Sequence, residues 1–388
     1  MPNVPPLRFP EFSGEWERMR VSDFLDFYST NSLSWEQLEY GTGNLCNLHY
    51  GLIHVGLPTL INLSEHILPN IKLDNTPRNY ELCQEGDVAF ADASEDTNEV
   101  AKVVEFYELQ GKDVVCGLHT IHGRDNKGLT IKGFKGYALS SVTFHNQIRR
   151  LAQGTKIYSV STKNFAESYI SLPSKEEQSK IVTLLSLLDK RIATQIRVID
   201  KLESLIKGIY QKVFDRYNAN YLPLAQLSTI QKGEQVNSEG FTETGDYYVM
   251  NGGITPSGYY NRYNSVADTI SISEGGNSCG YVQYNTECFW SGGHCYTLLD
   301  IDSAISKLYL YHYLKYKEKD IMALRIGSGL PNIQKKDLSK FPILVLPLSE
   351  QQRVANLLQL IAEKIKVEKD NLSHLSQQKA YLLQNMFI

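Results

Sequence analysis

Six cysteines, nine histidines and 43 acidic side chains are the groups in this 388-residue chain that could do chemistry. The cysteines are Cys46, Cys83, Cys116, Cys279, Cys288 and Cys295, and none forms a Cys-x-x-Cys pair. In a chain of this size that pattern reads as free thiols in a reducing compartment, not as a disulfide framework. Cys288, His294 and Cys295 lie close together, but their spacing is not a zinc-ligand signature, and no metal site is expected. Asp125-Asn126-Lys127 has the acidic-x-Lys form of a nuclease fragment, yet no second carboxylate is placed to complete it. Leu118-His119-Thr120 holds a histidine with no Ser or Cys to activate, so a buried or phosphate-facing ring is the better reading. There is no Gly-x-x-x-x-Gly-Lys-Ser/Thr loop, no Gly-x-Gly-x-x-Gly turn opening a helix and no His-Glu-x-x-His. No catalytic residue is assigned, and the chain reads as a binding protein.

Charge gives the first hint of what it binds. Net charge is -4, which argues mildly against a polyanionic partner, but the average hides local blocks. Residues 1–172 hold 15 basic and 21 acidic side chains. Within them, 124–163 hold eight basic residues against Asp125 alone, whereas 81–113 hold ten acidic residues against Lys102 and Lys112. Residues 307–340 repeat the basic excess, eight to three. Such asymmetry can make an anion-binding face on an acidic protein. Residues 247–316 add twelve of the 24 tyrosines, and Gly252-Gly253, Gly275-Gly276 and Gly292-Gly293 permit close backbone approach. Aromatic rings can stack on bases, although a packed β-rich core explains the same tyrosines.

These groups need elements to hold them, and the chain supplies the same elements twice. At a shift of 173, Gly154 meets Gly327, Thr155 meets Ser328, Lys163 meets Lys336 and Ile170 meets Ile343. With one residue of slack, LPSKEEQ (172–178) meets LPLSEQQ (346–352). Glu177/Glu350, Gln178/Gln351, Leu184/Leu357, Leu187/Leu360 and Phe214/Phe387 are then identical pairs. The parts before them, 1–150 and 215–325, show no comparable match. The order is variable, constant, variable, constant.

The constant segments are predicted helices. Ile181, Leu185, Leu188, Ile192, Gln195, Ile199, Leu202, Ile206, Ile209 and Val213 alternate steps of four and three, as a coiled-coil seam does. The second seam is Val354, Leu358, Ile361, Ile365, Glu368, Leu372, Leu375, Lys379, Leu382 and Met386. Gln195 and Glu368 share one seam position, where a buried polar group can fix register. Ser174 and Ser349 are the expected N-caps. A first helix of about 33 residues would run ~50 Å. Two such helices in one chain most simply pack on each other, antiparallel about a pseudo-twofold axis. Strands are expected at Thr269–Ser273 and Tyr281–Tyr284. The fold class is therefore α+β: two globular mixed α/β segments, 1–172 and 215–345, joined by helical spacers at 173–214 and 346–388. With 42% hydrophobic residues the chain can bury real cores. It has no 18-residue apolar run, and its first residues do not form a signal peptide, so it reads as cytoplasmic.

Taken together, these motifs resemble the specificity subunit of type I restriction–modification systems. The resemblance covers nearly the whole chain. It rests on the two LPxxEQ-type openings, each leading a leucine-rich helix that ends in Phe214 or Phe387, and on LRFPEFSGEWE (7–17). GLHTIHGRDNKGLTIKGFKGYAL (117–139) with GTKIYSVS (154–161) looks like one target-recognition type, and the glycine-rich stretch 251–296 looks like another.

The resemblance implies a non-catalytic, DNA-binding subunit in bacteria. Each target-recognition domain would read one half of a bipartite, asymmetric site on double-stranded DNA. The helices would act as the spacer and dock two methyltransferase subunits, with restriction subunits joining the cleaving complex. S-adenosylmethionine, ATP and Mg would serve those partner subunits, and this chain would bind no cofactor. A ~50 Å spacer matches roughly 15 base pairs at about 3.4 Å per pair. For phosphate contacts the basic blocks offer Arg124, Lys127, Arg149, Arg150 and Lys156 in the first domain and Lys335 and Lys336 in the second. For base reading the candidates are His119 and Thr120 in the first domain and Arg262 and Asn277 in the second. The competing reading is a coiled-coil adaptor without sequence-specific DNA binding. An enzyme in its own right is disfavoured by the missing motifs.

Overall fold

A computed structural model describes residues 3–41, 43–96, 99–154, 156–215, 220–235, 242–327, 329 and 331–388. The repeat pair Thr155 and Ser328 lies outside the described residues. By contact the chain divides into two compact units, 1–195 with 371–388, and 196–370. Each unit holds one globular segment and parts of both long helices.

In the first unit a five-stranded sheet runs in the order Asp26–Tyr28, Thr120–Arg124, Val88–Ala91, Val103–Glu108, Leu60–Asn62. Its last pair is parallel and the others are antiparallel. A smaller sheet orders Asp113–Cys116, Leu45–Leu48, Asn70–Ile71 and Leu38–Glu39. Val88, Ala89, Phe90 and Ala91 are all fully buried, a continuous apolar run as expected of a strand covered on both faces. Phe134–Leu139 and Val142–Leu151 are the helices beside this core.

The second unit carries a four-stranded antiparallel sheet in the order Thr229–Lys232, Cys295–Leu299, Thr269–Ser273, Val282–Asn285. Both expected strands are therefore present, the second shifted by one residue. Tyr259–Tyr260, Tyr247–Met250 and Trp290–Ser291 form a further sheet. The tyrosines of helix Lys307–Tyr316 are mostly core: Tyr309 and Tyr313 are buried and ring the end of the first long helix at Phe214.

The two globular segments differ in sheet order but are closed in the same way. Glu17–Arg20 pairs antiparallel with Tyr169–Leu172, and Tyr221–Pro223 pairs antiparallel with Pro342–Leu344. In each case the first strand of the segment meets the last, and the chain then turns into its long helix.

The first long helix spans Lys175–Phe214, 40 residues, and the second Leu348–Asn385, 38 residues. The first is longer than its seam suggests, ~60 Å at 1.5 Å per residue, because the LPSKEEQ turn is itself helical. Ser174 caps it, its Oγ accepting from the Glu177 N–H. Ser349 does not cap the second helix: the helix starts at Leu348, and the Pro347 carbonyl takes the Gln351 N–H. Proline suits a helix start because it has no N–H to leave unpaired.

All twenty seam positions are buried or half-buried. In the first unit Ile181, Leu185, Leu188 and Ile192 share an apolar cluster with Leu375, Leu382 and Met386, and Lys379 pairs with Asp189 at 2.6 Å. In the second unit Ile206, Ile209 and Val213 share a cluster with Val354 and Leu358, and Lys369 pairs with Glu203 at 2.7 Å. In both units the start of one helix lies with the end of the other, so the helices are antiparallel. Glu368 is buried on its seam and pairs with Lys364, whereas Gln195 is half-buried.

One buried residue fastens each helix to its domain. Gln178 accepts from the Ile131 N–H at 2.9 Å and donates to Leu129 O at 3.1 Å and Pro173 O at 3.0 Å. Its repeat mate Gln351 accepts from the Ser306 N–H at 2.8 Å and donates to Ala304 O at 2.9 Å and Leu346 O at 2.7 Å. Both side chains are almost wholly excluded from water. Beside Gln178, the buried Glu177 takes a two-point ion pair from Arg8, at 2.7 and 2.8 Å, which ties the chain start to the same turn.

Replacing Gln178 or Gln351 by leucine removes the partner of three backbone groups, one of them at a buried residue, Pro173 or Leu346. Each substitution is expected to cost about 3 kcal/mol, whereas Gln352→Leu, at an exposed neighbour, should change stability by less than about 0.5 kcal/mol. Urea unfolding compares them. His312 gives a pH test. Burial holds it down to about 4, with Nδ1 beside the Tyr210 hydroxyl at 3.1 Å. The unfolded chain then takes up the proton first as pH falls, so stability drops between about pH 6.5 and 4. From pH 7 to 5 the loss from this group is about 2 kcal/mol, and His312→Asn should be less pH-dependent by that amount.

Candidate nucleic-acid interface

Three of the eight basic residues in the first block are paired with the acidic block. Arg124 sits on strand Thr120–Arg124 with its guanidinium on Asp87 (2.8–3.1 Å), Glu81 (2.8 Å) and Leu82 O (2.8 Å). The hydrogen bond to Asp87 leads the effects that raise its pKa further, and Tyr28 stacks on it at 4.4 Å. Lys132 meets Glu85 at 2.9 Å, and Lys135 meets the fully buried Glu105 at 3.7 Å. Arg124 is thus a structural arginine and not a free phosphate ligand: all three of its nitrogens are engaged, and breaking a buried pair leaves an uncompensated charge. Thr120 is likewise committed. It is buried and donates to Gly117 O at 2.6 Å, so it does not reach a base.

The remaining candidates of the first domain are accessible. Arg149 and Arg150 end helix Val142–Leu151, are exposed, and form no ion pair among the described residues. Arg150 lines a cleft of about 450 Å³ with Arg18, Asn146, Gln147 and Tyr169. Arg18 lies 4.4 Å over the Tyr169 ring. Lys156 is exposed. Lys127 is exposed too, its ammonium donating to the Asp23 carbonyl.

His119 is presented by a loop. Among the described residues it is one of five non-glycine residues with positive φ, at 54°. Its ring is about half exposed, with Nδ1 3.2 Å from Asp92 Oδ1. Burial pushes the Asp92 carboxyl up, and His119 partly offsets this. The His119 ring stands edge-on to Tyr50 at 5.2 Å, and Tyr50, His49 and Trp35 continue the run of rings at 4.7 and 4.6 Å. Left-handed backbone in a non-glycine residue costs energy and collects at functional loops.

In the second domain the three Gly-Gly pairs converge. Gly252 has φ +85°, and a Cβ there would press on His294 Cβ at 3.1 Å and Gly275 O at 3.2 Å. At Gly292 a Cβ would lie 2.5 Å from Asn251 Oδ1. The Gly276 N–H bonds Pro331 O at 3.0 Å, bringing segment 331–336 to the same rim. On that rim Asn277 is exposed, and Lys335 and Lys336 are exposed at the start of helix Lys335–Ser339. Arg262 is exposed two residues before Asn264, whose amide holds both backbone groups of Ser291. Lys232 joins them from the neighbouring strand, paired with Glu274 at 2.7 Å, and Tyr296 donates to the same carboxylate at 2.9 Å.

Sequence reasoning missed Arg18, the Trp35–Tyr50 rings and Lys232. Nothing in their local pattern distinguishes them, since pairing and exposure are settled by distant segments. It also missed the role of Gln178 and Gln351, although their identity across the repeat was the signal.

The type I restriction modification DNA specificity domain, as a family model, matches residues 107–204 and 219–377. A Mycoplasma pneumoniae protein named as a type I specificity subunit is 35% identical over 144 residues, spanning 37% of this chain and 38% of that protein. A Mycoplasma genitalium protein, also named as a type I specificity subunit, is 26% identical over 300 residues, 73% of this chain and 78% of that protein. The crystal structure of a type I restriction–modification system S subunit from M. genitalium has the same fold, with a TM-score of 0.70 at 19% identity over 99% of both chains. With both copies of the repeat matched, this chain belongs to the type I restriction–modification DNA specificity family.

Proposed function

We propose that the chain is the non-catalytic specificity subunit of a type I complex, and that each recognition domain reads one half of a bipartite, asymmetric DNA site. The observation that carries this is one repeated joint and helix beneath two unlike sheets. Two identical readers would favour a palindrome, whereas two different readers on a repeated scaffold suit an asymmetric split sequence. The accessible cations support phosphate contact by Arg149, Arg150, Lys156 and Lys127 in the first domain, with Arg18 beside them, and by Lys335 and Lys336 in the second. His119, Arg262 and Asn277 are the base-reading candidates.

The helices serve as spacer and docking surface. Leu184 and Leu187 are exposed off the seam, and so are their repeat mates Leu357 and Leu360. A solvent-facing leucine pair present twice supports docking of two methyltransferase subunits, which would use S-adenosylmethionine. Restriction subunits, with ATP and Mg, would join the same complex.

Single-base mapping of N6-methyladenine in the source genome, with and without this gene, tests the reading. Loss of one split, asymmetric methylated motif on deletion is the expected result. An unchanged methylome, with the purified chain unable to bind its cognate methyltransferase subunit, overturns it. Arg149→Gln and Arg150→Gln in the assembled complex should weaken binding to all sequences alike, and each should lower the slope of log K against log salt by about 0.9. His119→Ala should relax preference within one half-site only.

A further inference from the structure

Cys83 lies 33 residues before Cys116, and His122 six after it, yet one ligand atom from each falls within 4.8 Å of the others. All three are buried, His122 completely. The two sulfurs are 3.6 Å apart. Thiolates on a tetrahedral zinc, with Zn–S near 2.3 Å, stand about 3.8 Å from each other.

The histidine is oriented as a ligand would be. Its Nε2 lies 2.7 Å from Asp87 Oδ2, and Asp87 is itself fixed by Arg124 and by the Gln84 N–H. A carboxylate that accepts the Nε2 proton leaves the Nδ1 lone pair free, the arrangement that second-shell carboxylates impose on metal-bound imidazoles. His122 Nδ1 is buried and has no hydrogen-bond partner among the described residues. Neither thiol donates to it. A buried ring nitrogen without a partner, in a histidine that stands beside two thiols, is costly as it stands, and a cation would satisfy it.

We propose that Cys83, Cys116 and His122 bind one Zn²⁺ per chain. Two sulfurs and an imidazole favour a borderline-soft cation over magnesium or calcium. Three protein ligands leave one position of a tetrahedral ion to a small exogenous ligand. The ion would join three segments: Cys116 ends a strand of the smaller sheet, His122 lies mid-strand in the five-stranded sheet, and Cys83 precedes strand Val88–Ala91. The loop that carries His119 runs between two of the ligands, so the ion would hold its base. The assignment stands whatever the domain binds.

The test uses the full chain, purified without chelator under a phosphine reductant, equilibrated with zinc and dialysed into metal-free buffer. Elemental analysis should find about one zinc per chain. Cys116→Ser and His122→Asn should lose most of it, and Cys46→Ser, at a buried thiol outside the cluster, should keep it. Cobalt(II) loaded into the unmodified chain gives a readout that needs no variant, with thiolate-to-cobalt charge-transfer and tetrahedral ligand-field bands expected. Absence of retained zinc, equal retention by Cys116→Ser in a folded protein, cobalt binding without a thiolate band, or a Cys83–Cys116 disulfide in the reduced preparation would each overturn the proposal.

Discussion

A recognition domain can do no geometric work unless its direction relative to the helix is fixed, and one buried glutamine per repeat provides that constraint. Gln178 and Gln351 each satisfy three backbone groups, one at the exit of the closing ribbon and two in a loop of the globular segment. A glutamine suits this task because its amide offers donor and acceptor on one rigid plane. A carboxylate could only accept, and an apolar side chain would leave all three groups unsatisfied. Hydrogen bonds of this kind restrict orientation more tightly than apolar contact, which tolerates sliding.

The same economy governs charge. The acidic stretch 81–113 and the basic stretch 124–163 neutralise one another through Arg124, Lys132 and Lys135. Five of the eight basic residues of 124–163 stay outside those pairs: Lys127, Arg149, Arg150, Lys156 and Lys163, all exposed. The field outside a protein depends on charges left unpaired, not on charges counted along the chain. The negative total is thus compatible with a locally cationic surface.

Periodic features were legible in the sequence, and features made by distant residues were not. The long helices and their seams follow from spacing alone, because seam burial repeats every seven residues, and the strand Thr269–Ser273 follows from its alternating residue types, although both of its faces are buried. The closing ribbons were invisible, since Glu17–Arg20 and Tyr169–Leu172 are far apart and share no pattern. Arg124 and Thr120 were misread for a related reason. Residue type suggests what a side chain can bind, but only the fold decides whether Asp87 or Gly117 has already taken it. Ser349 misled because the repeat slips by one residue at the proline. Cys83, Cys116 and His122 lie 33 and six residues apart, outside any ligand spacing that could be recognised in advance.

The closing ribbon explains how such different sheets can sit on one repeated helix. Each globular segment begins and ends at the same place, on two paired strands that run straight into the helix. Everything between those strands can change in length and topology without moving the point of attachment. The interface that must be kept is small: the ribbon, the proline turn, the glutamine and the opening of the seam. It is local in sequence apart from the first strand and the loop backbone at 129–131 and 304–306 that the glutamines hold. Its energetic requirements can therefore be met independently of the surface that the rest of each segment presents. Sequence identity across the repeat runs through this joint and on along the helix to Phe214 and Phe387, whereas the segments between the paired strands share no comparable match over 1–150 and 215–325.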